Sequence, residues 1–345
     1  MADKVRIGII GAGDIFRSRH FPGLAKVDEA EVVAICNRSK ESGQSIAGEF
    51  GLSPDIMTDP DALLAREDVD AVMIGTWPYK HCPFVLDSLD AGKHTFVQAR
   101  MAMNLEEAQL MHDAAQSNPD LVAQIVPSPM TLWADRTIQR LISEGFLGDI
   151  LSVEVRSAGS DFIDHDGPIH WRNDYDLSGM NIMTMGIWYE AMRRWVGDPL
   201  QVFAQAKTFT KMRRDSETGV MRAIRVPQHI DVLMDLICGA QGYLKISTIQ
   251  GLANENTATI YGSEGTIQMG DGKLYGAQRG DEALSEIKIR PEDHGEWRVE
   301  EEFISAIRGK ELITHTPFET GVKYMEFTEA ARKSANSGER IDLSI

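Results

Sequence analysis

The chain has 345 residues, 43% hydrophobic and 25% charged, which fits two globular domains that each bury a core. With 35 Lys and Arg against 52 Asp and Glu, the formal net charge is −17, a surface that repels nucleic acid and anionic membrane. Cys36, Cys82 and Cys238 are scattered and include no Cys-x-x-Cys, which speaks against a disulfide framework or structural zinc and for a reducing, cytoplasmic location. No apolar segment reaches membrane-spanning length. The first apolar run is interrupted by Gly8, unlike a signal peptide.

Val5, Ile7, Ile9 and Ile10 form a near-continuous apolar run, the pattern of a buried parallel strand, and it leads into Gly11-Ala12-Gly13. A strand, a Gly-x-Gly turn and a helix open a dinucleotide-binding unit. The glycines let backbone approach a pyrophosphate, and the helix N-terminus faces its charge. Phe16 stands where a third glycine usually sits. The second apolar strand, 31–36, ends about 20 residues farther on, as such a unit requires. The turn offers Gly11, Gly13, Asp14, Ile15 and Phe16 to a cofactor, and Asn37, Arg38 and Ser39 follow the second strand. An Asp or Glu there would hold the ribose hydroxyls of NAD. A neutral Asn37 and a positive Arg38 lean instead towards NADP.

Helices are predicted over 41–50, 62–64, 83–91 and 104–115, and strands over 69–74, 93–97 and 121–126. Thr58-Asp59-Pro60-Asp61 and Asn104 read as helix caps and Gly92 as a helix stop. This alternation implies a doubly wound parallel sheet over 1–126, with ligand beyond the carboxyl ends of its strands. Thr76, Trp77, Pro78 and His81 sit at such an end. His81 either reaches a ribose or substrate or supports the helix that begins at Pro83.

Pro127 and Pro129 mark a change of texture. A helix is expected over 130–145, then longer alternating strands over 150–158, 201–209, 228–237, 242–250, 257–261 and 266–269, with turns at 239–242 and 262–265. Residues 127–345 therefore read as a second α/β domain with an open, mainly antiparallel sheet. Helices would cover one face, and the other would be left for a homo-oligomer contact, a dimer or tetramer. Closing helices are expected over 297–308 and 319–334.

End to end, the chain resembles the Gfo/Idh/MocA oxidoreductase family. The resemblance runs through Gly11-Ala12-Gly13-Asp14-Ile15, His20-Phe21-Pro22-Gly23-Leu24, Thr76-Trp77-Pro78 with His81, and Ala91-Gly92-Lys93-His94. It continues in 142–148, in His170-Trp171-Arg172, in Tyr261-Gly262-Ser263-Glu264-Gly265-Thr266, and in the tail at 302–307 and 334–338. It implies NAD(P) on the first domain and a sugar, polyol or related cyclic hydroxy or keto substrate. Relatives carry Glu-Lys-Pro where this chain has Gln98-Ala99-Arg100, which aligns Gln98 with a cofactor contact and puts Ala99 at the family's lysine. By the same alignment Thr184 and Trp188 replace an aspartate and a histidine, leaving them as substrate contacts. Hydride loss from a secondary alcohol needs a group that takes the hydroxyl proton. Ala99 cannot, and Trp188 only donates.

Other residues are then candidates for that task. The stretch 160–175 is dense in His, Asp and aromatics, and the Trp-Arg part implies a nearby substrate pocket in relatives. His170 or His165 would serve as general base with help from Asp164 or Asp166, and Tyr175 as proton donor. Asp166, Trp171 and Arg172 would contact substrate. Arg100 is too basic to shuttle protons but suits a carboxylate or carbonyl, or the cofactor phosphates. No metal motif is present. Three readings stay open at this level: a redox enzyme; a lyase, hydratase or glycosidase using nicotinamide transiently or not at all; and a non-catalytic nucleotide or sugar binder.

Overall fold

The computed structural model describes residues 4–343. Its first unit is built on a six-stranded sheet. In chain order the elements are β1 (Val5–Ile10), a π-helical turn (Phe16–His20), α1 (Phe21–Leu24), β2 (Ala30–Cys36), α2 (Lys40–Glu49), β3 (Asp55–Met57) and α3 (Pro60–Leu64). Then come β4 (Ala71–Ile74), α4 (His81–Asp90), β5 (His94–Val97), α5 (Leu105–Ser117) and β6 (Ala123–Ile125). The strands lie in the order β3-β2-β1-β4-β5-β6 and every pair is parallel. Chain order therefore reverses between β1 and β4, and a ligand crevice opens at the carboxyl ends of that pair. Ile7, Ile9, Val72 and Met73 are wholly buried, each contributing about 1.5–3 kcal/mol. Helix starts are written locally. Ser39, Asp59 and Asn104 accept hydrogen bonds from Ser42, Asp61 and Glu107 backbone N–H groups.

The second unit begins with α6 (Leu132–Ser143), β7 (Ile150–Ala158), α7 (Tyr175–Ser178), α8 (Met185–Val196) and β8 (Pro199–Lys207). A short hairpin follows, β9 (Met212–Arg214) and β10 (Met221–Ala223). Next are β11 (His229–Leu236), β12 (Gln241–Ser247), β13 (Glu255–Gly262), β14 (Gly265–Gly270), β15 (Lys273–Gln278) and β16 (Ser285–Glu286). After α9 (Val299–Ile307) and α10 (Phe318–Ser337), the edge strand β17 (Ile341–Asp342) completes a nine-stranded sheet, β16-β15-β14-β13-β7-β12-β11-β8-β17. All its pairs are antiparallel except β7 with β12, so the sheet is mixed and mostly antiparallel. On one face Val153, Val155, Val232, Leu244 and Ile260 are buried. On the other, Phe203, Leu233 and Tyr243 sit side by side in register. The β9–β10 hairpin and β15 were not expected. Their residues are too few or too polar to show a two-residue period.

The domain boundary needs a correction. The second domain was expected to run unbroken over 127–345, but Trp297–Met325 belongs to the first unit, and the second comprises Ser128–Glu296 and the chain from Glu326 on. Glu302 supplies the reason. It is fully buried, takes a 2.7 Å hydrogen bond from Gln124 Nε2 on β6, and accepts the backbone N–H of Thr314. Burial alone would raise its pKa, yet the hydrogen bonds from His315 and Thr314 hold it below the usual carboxylate value. No local pattern announces such a long-range tie.

Candidate functional site

In the first unit, the turn after β1 is braced from β2. Asn37 Oδ1 accepts from the Ala12 backbone N–H at 2.8 Å, and its Nδ2 donates to the Ala12 carbonyl at 3.0 Å. Gly11 has a φ of +82°, and a Cβ there would lie 2.7 Å from Thr76 Cγ2 and 3.0 Å from the Thr76 N. A side chain at Gly13 would meet nothing within 4 Å. That open space above a left-handed glycine and a helical N-terminus fits a pyrophosphate. Phe16 does not obstruct it. Its ring turns inward, fully buried, against Gly75, where a Cβ would overlap it. With Asn37 committed to Ala12 and Ser39 to capping α2, Arg38 is the exposed group at the end of β2.

Beneath the turn lies a polar chain that sequence reasoning did not assemble. Gln98, just past β5, donates to His20 Nε2, and His20 Nδ1 donates to Glu300 Oε1 at 2.5 Å. Trp297 Nε1 donates to both Glu300 oxygens at 3.0–3.1 Å. His20 and Glu300 are 0% and 1% exposed, and a Cβ on Gly23 would collide with Glu300. His20 had figured only in a motif. A histidine facing the apolar side of a short helix was the one sequence signal, and its partner lies 280 residues away.

His81 is also fully buried. Its Nδ1 faces the carbonyls of Arg100 and Met101 at 2.9 and 3.2 Å, and its Nε2 faces that of Thr76 at 2.9 Å. Burial pushes its pKa below the ordinary 6.5 despite those carbonyls. It ties the loop after β4 to the loop after β5 and keeps no ring nitrogen for a ligand. Thr76 and Pro78 follow β4, with Trp77 partly exposed beside them. Arg100 is buried, engaged by other groups, and joined to Ala99 by a cis peptide bond.

In the second unit, α6 and α8 are locked together. Asp135 accepts from Trp195 Nε1 at 2.7 Å and from Arg194 Nε at 2.9 Å, and Arg194 also reaches Glu190 at 2.8 Å. This clamp fixes the second half of α8; at the other end of the helix Thr184 precedes it, and Trp188 is 1% exposed. Among the described residues the Trp188 indole N–H has no hydrogen-bond acceptor. Trp188 lines a pocket of about 280 Å³ with Trp133, Asn254, Asn256, Met269 and Asp271. Ser157 donates to Asn256 Oδ1 at 2.9 Å and lies 3.4 Å from the Thr184 hydroxyl. Aromatic faces beside amides and an orphan donor can hold a ring that carries hydroxyl groups.

The stretch 160–175 is folded by short-range bonds. Asp164 accepts the backbone N–H groups of Asp166 and Gly167, which hold its carboxyl below the usual range. His165 Nδ1 sits 3.0 Å from Thr210 Oγ1. His170 Nδ1 accepts the Arg172 N–H at 3.2 Å, so in the neutral ring Nε2 carries the proton. Burial, then the Arg172 charge, pushes the His170 pKa below 6.5. Arg172 stacks on Trp171, 4.2 Å from the ring centroid. Tyr175 lies under Arg225 and Arg332, 4.5 and 5.3 Å from its ring centroid. Among the described residues, no group of three or more His, Cys, Asp or Glu could hold a metal, and no helix is long and apolar enough to cross a membrane.

A family model described as an oxidoreductase family with an NAD-binding Rossmann fold matches residues 5–125, and one described as the GFO/IDH/MocA C-terminal domain matches 136–268. Inositol 2-dehydrogenase/D-chiro-inositol 3-dehydrogenase of Halalkalibacterium halodurans is 26% identical over 48% of this chain and 50% of its own. D-glucoside 3-dehydrogenase of Escherichia coli is 21% identical over 99% of this chain and 98% of its own. A glycosyl hydrolase family 109 protein of Shewanella baltica is 32% identical over 33% of this chain and 26% of its own. Several curated relatives are thus matched over about half their length or less. Among solved structures, levoglucosan dehydrogenase in complex with NADH and L-sorbose superposes with a TM-score of 0.88 at 20% identity, covering 99% of each chain.

Proposed function

The chain belongs to the Gfo/Idh/MocA oxidoreductase family, and from that premise we propose an NAD(P)-dependent oxidoreductase acting on a sugar, polyol or related cyclic hydroxy or keto compound. One observation carries the reading: a glycine turn braced by Asn37, with open space over Gly13, at the switch point of a parallel sheet. Gly11, Gly13, Asp14, Ile15 and Phe16 form that turn, and Thr76, Trp77, Pro78 and Gln98 follow the neighbouring strands. When bound, the nicotinamide supplies the hydride donor or acceptor. Arg38, exposed at the end of β2, favours the 2′-phosphate of NADP.

In the second unit, Thr184 and Trp188 bind the substrate ring, with Asp166, Trp171 and Arg172 as further contacts. Proton transfer falls to His165 or Tyr175, or to His170 once Nδ1 releases the Arg172 N–H and takes the ring proton, freeing Nε2 to accept; its lowered pKa keeps that ring neutral near pH 7. Arg100 fixes a carboxylate or carbonyl. A panel of sugars and cyclitols with NAD and NADP is expected to change nicotinamide absorbance at 340 nm. Silence from the whole panel with cofactor demonstrably bound would overturn the redox reading.

A second reading, a lyase, hydratase or glycosidase with no net cofactor turnover, is favoured by Ala99, Thr184 and Trp188 at the aligned acid–base positions. The likeness to a protein named as a glycosyl hydrolase points the same way. Product analysis by NMR separates the two, because only net oxidation yields product in proportion to reduced cofactor. The uncovered sheet face with Phe203, Leu233 and Tyr243 supports assembly with a second copy. Sedimentation velocity is expected to give a dimer or tetramer, and Leu233→Glu to shift it to monomer. A monomeric wild type rules that assembly out.

A further inference from the structure

Arg332, on the last helix of the second unit, is a half-buried cation with no carboxylate partner among the described residues. Its guanidinium contacts are the carbonyls of Met180 and Arg225, both at a long 3.4 Å, and the face of Tyr175, 5.3 Å from the centroid. Arg225 lies over the same ring at 4.5 Å, but Asp176 neutralises it at 2.5 Å. Two cations therefore share one aromatic ring and only one is compensated. Burial lowers the pKa of Arg332, and the charge of Arg225 lowers it further while Tyr175 opposes. In a chain of net charge −17, laced with Arg–carboxylate pairs, an uncompensated inner arginine is out of keeping with its surroundings.

The space in front of it is built from donors. Tyr175, Met180, Glu329, Arg332, Lys333, Asn336 and Ser337 enclose about 550 Å³. Lys333 has no ion-pair partner among the described residues. Ser337 Oγ accepts the Glu339 N–H, which leaves its own hydroxyl proton to donate. Glu329, the one acid on the wall, is engaged by another group. Asn336 and Ser337 stand in the last turn of the helix, where the dipole opposes an anion, so the charges of Arg332 and Lys333 carry the attraction.

We propose that this pocket binds a compact oxyanion, a phosphate or carboxylate group, through the fork of Arg332 with Lys333, Asn336 and Ser337 around it. The site is lined wholly by residues of the second unit and does not depend on the redox reading. An arginine fork grips two oxygens of such a group at once, and Lys333 adds a point charge.

Inorganic phosphate and acetate, titrated separately by calorimetry into the full chain and its Arg332 variants, test it. The wild type should bind at least one of them, and Arg332→Met should weaken that binding about tenfold or more, the value of one charge-assisted hydrogen bond. Arg332→Lys keeps the charge without the fork and is expected to fall between, which covers a Met variant that folds poorly. Preference for phosphate assigns a phosphoryl ligand and preference for acetate a carboxylate; either supports the site. Failure of both anions to bind, or equal affinity in wild type and the Arg332 variants, overturns it.

Discussion

The glycine turn of the first unit and the 160–175 stretch of the second are held by different physics. The turn rests on groups withdrawn from water: Asn37, His20, Glu300 and His81 are each at most 9% exposed, and every one binds backbone or another buried group. The stretch rests on local turns, such as Asp164 to the Asp166 and Gly167 N–H groups, and on arginines at or near the surface, among them Arg213 on the Gly167 carbonyl, Arg172 on Trp171 and, just past its end, Arg225 on Asp176. Buried polar groups are costly to disturb, because removing one partner leaves the other desolvated and alone. Exposed pairs are screened and contribute little. The glycine turn is thus a rigid element, while the 160–175 stretch can change at low cost.

Two measurements can break that contrast. Glu300→Ala leaves His20 and Trp297 without their acceptor and is expected to lower stability by about 3–5 kcal/mol, whereas Arg225→Ala should cost no more than about 1 kcal/mol. Chemical denaturation of the two variants beside wild type reads both. Similar losses would abolish the distinction. A smaller effect comes from pH. His81 and His94 have lowered pKa values, both chiefly through burial, and His94 Nδ1 accepts the Val122 N–H, a bond that a proton would break. The unfolded chain binds protons first, so this stability is complete above the ordinary 6.5 and is lost as pH falls through that range. Unfolding free energies at about pH 7.5 and about pH 5.5 should show the drop, and His81→Gln should flatten it. A rise in stability on acidification would contradict the assignment.

Much of this was legible beforehand because it is local. Alternation of strand and helix, the caps at Asp59 and Asn104, and the hairpin turns near Gly239 and Gly262 depend on residues a few positions apart. Asn37 shows the boundary of such reading. Its place after β2 and near a cofactor was visible, but the tie of its amide to Ala12, 25 residues earlier, was not. The Arg332 pocket had no local signal, since it joins a turn near 175 to a helix near 332.

Residue order by itself determined the strand periods, the glycine conformation at Gly11, and the charge balance, since each follows from backbone sterics or simple counting. Tertiary structure alone decided that Trp297–Met325 returns to the first unit, that Glu300 meets His20, and that Arg332 faces a cavity. Those facts depend on which desolvated groups find partners far along the chain. Partnership at that range is settled by the whole packed molecule rather than by any segment of it.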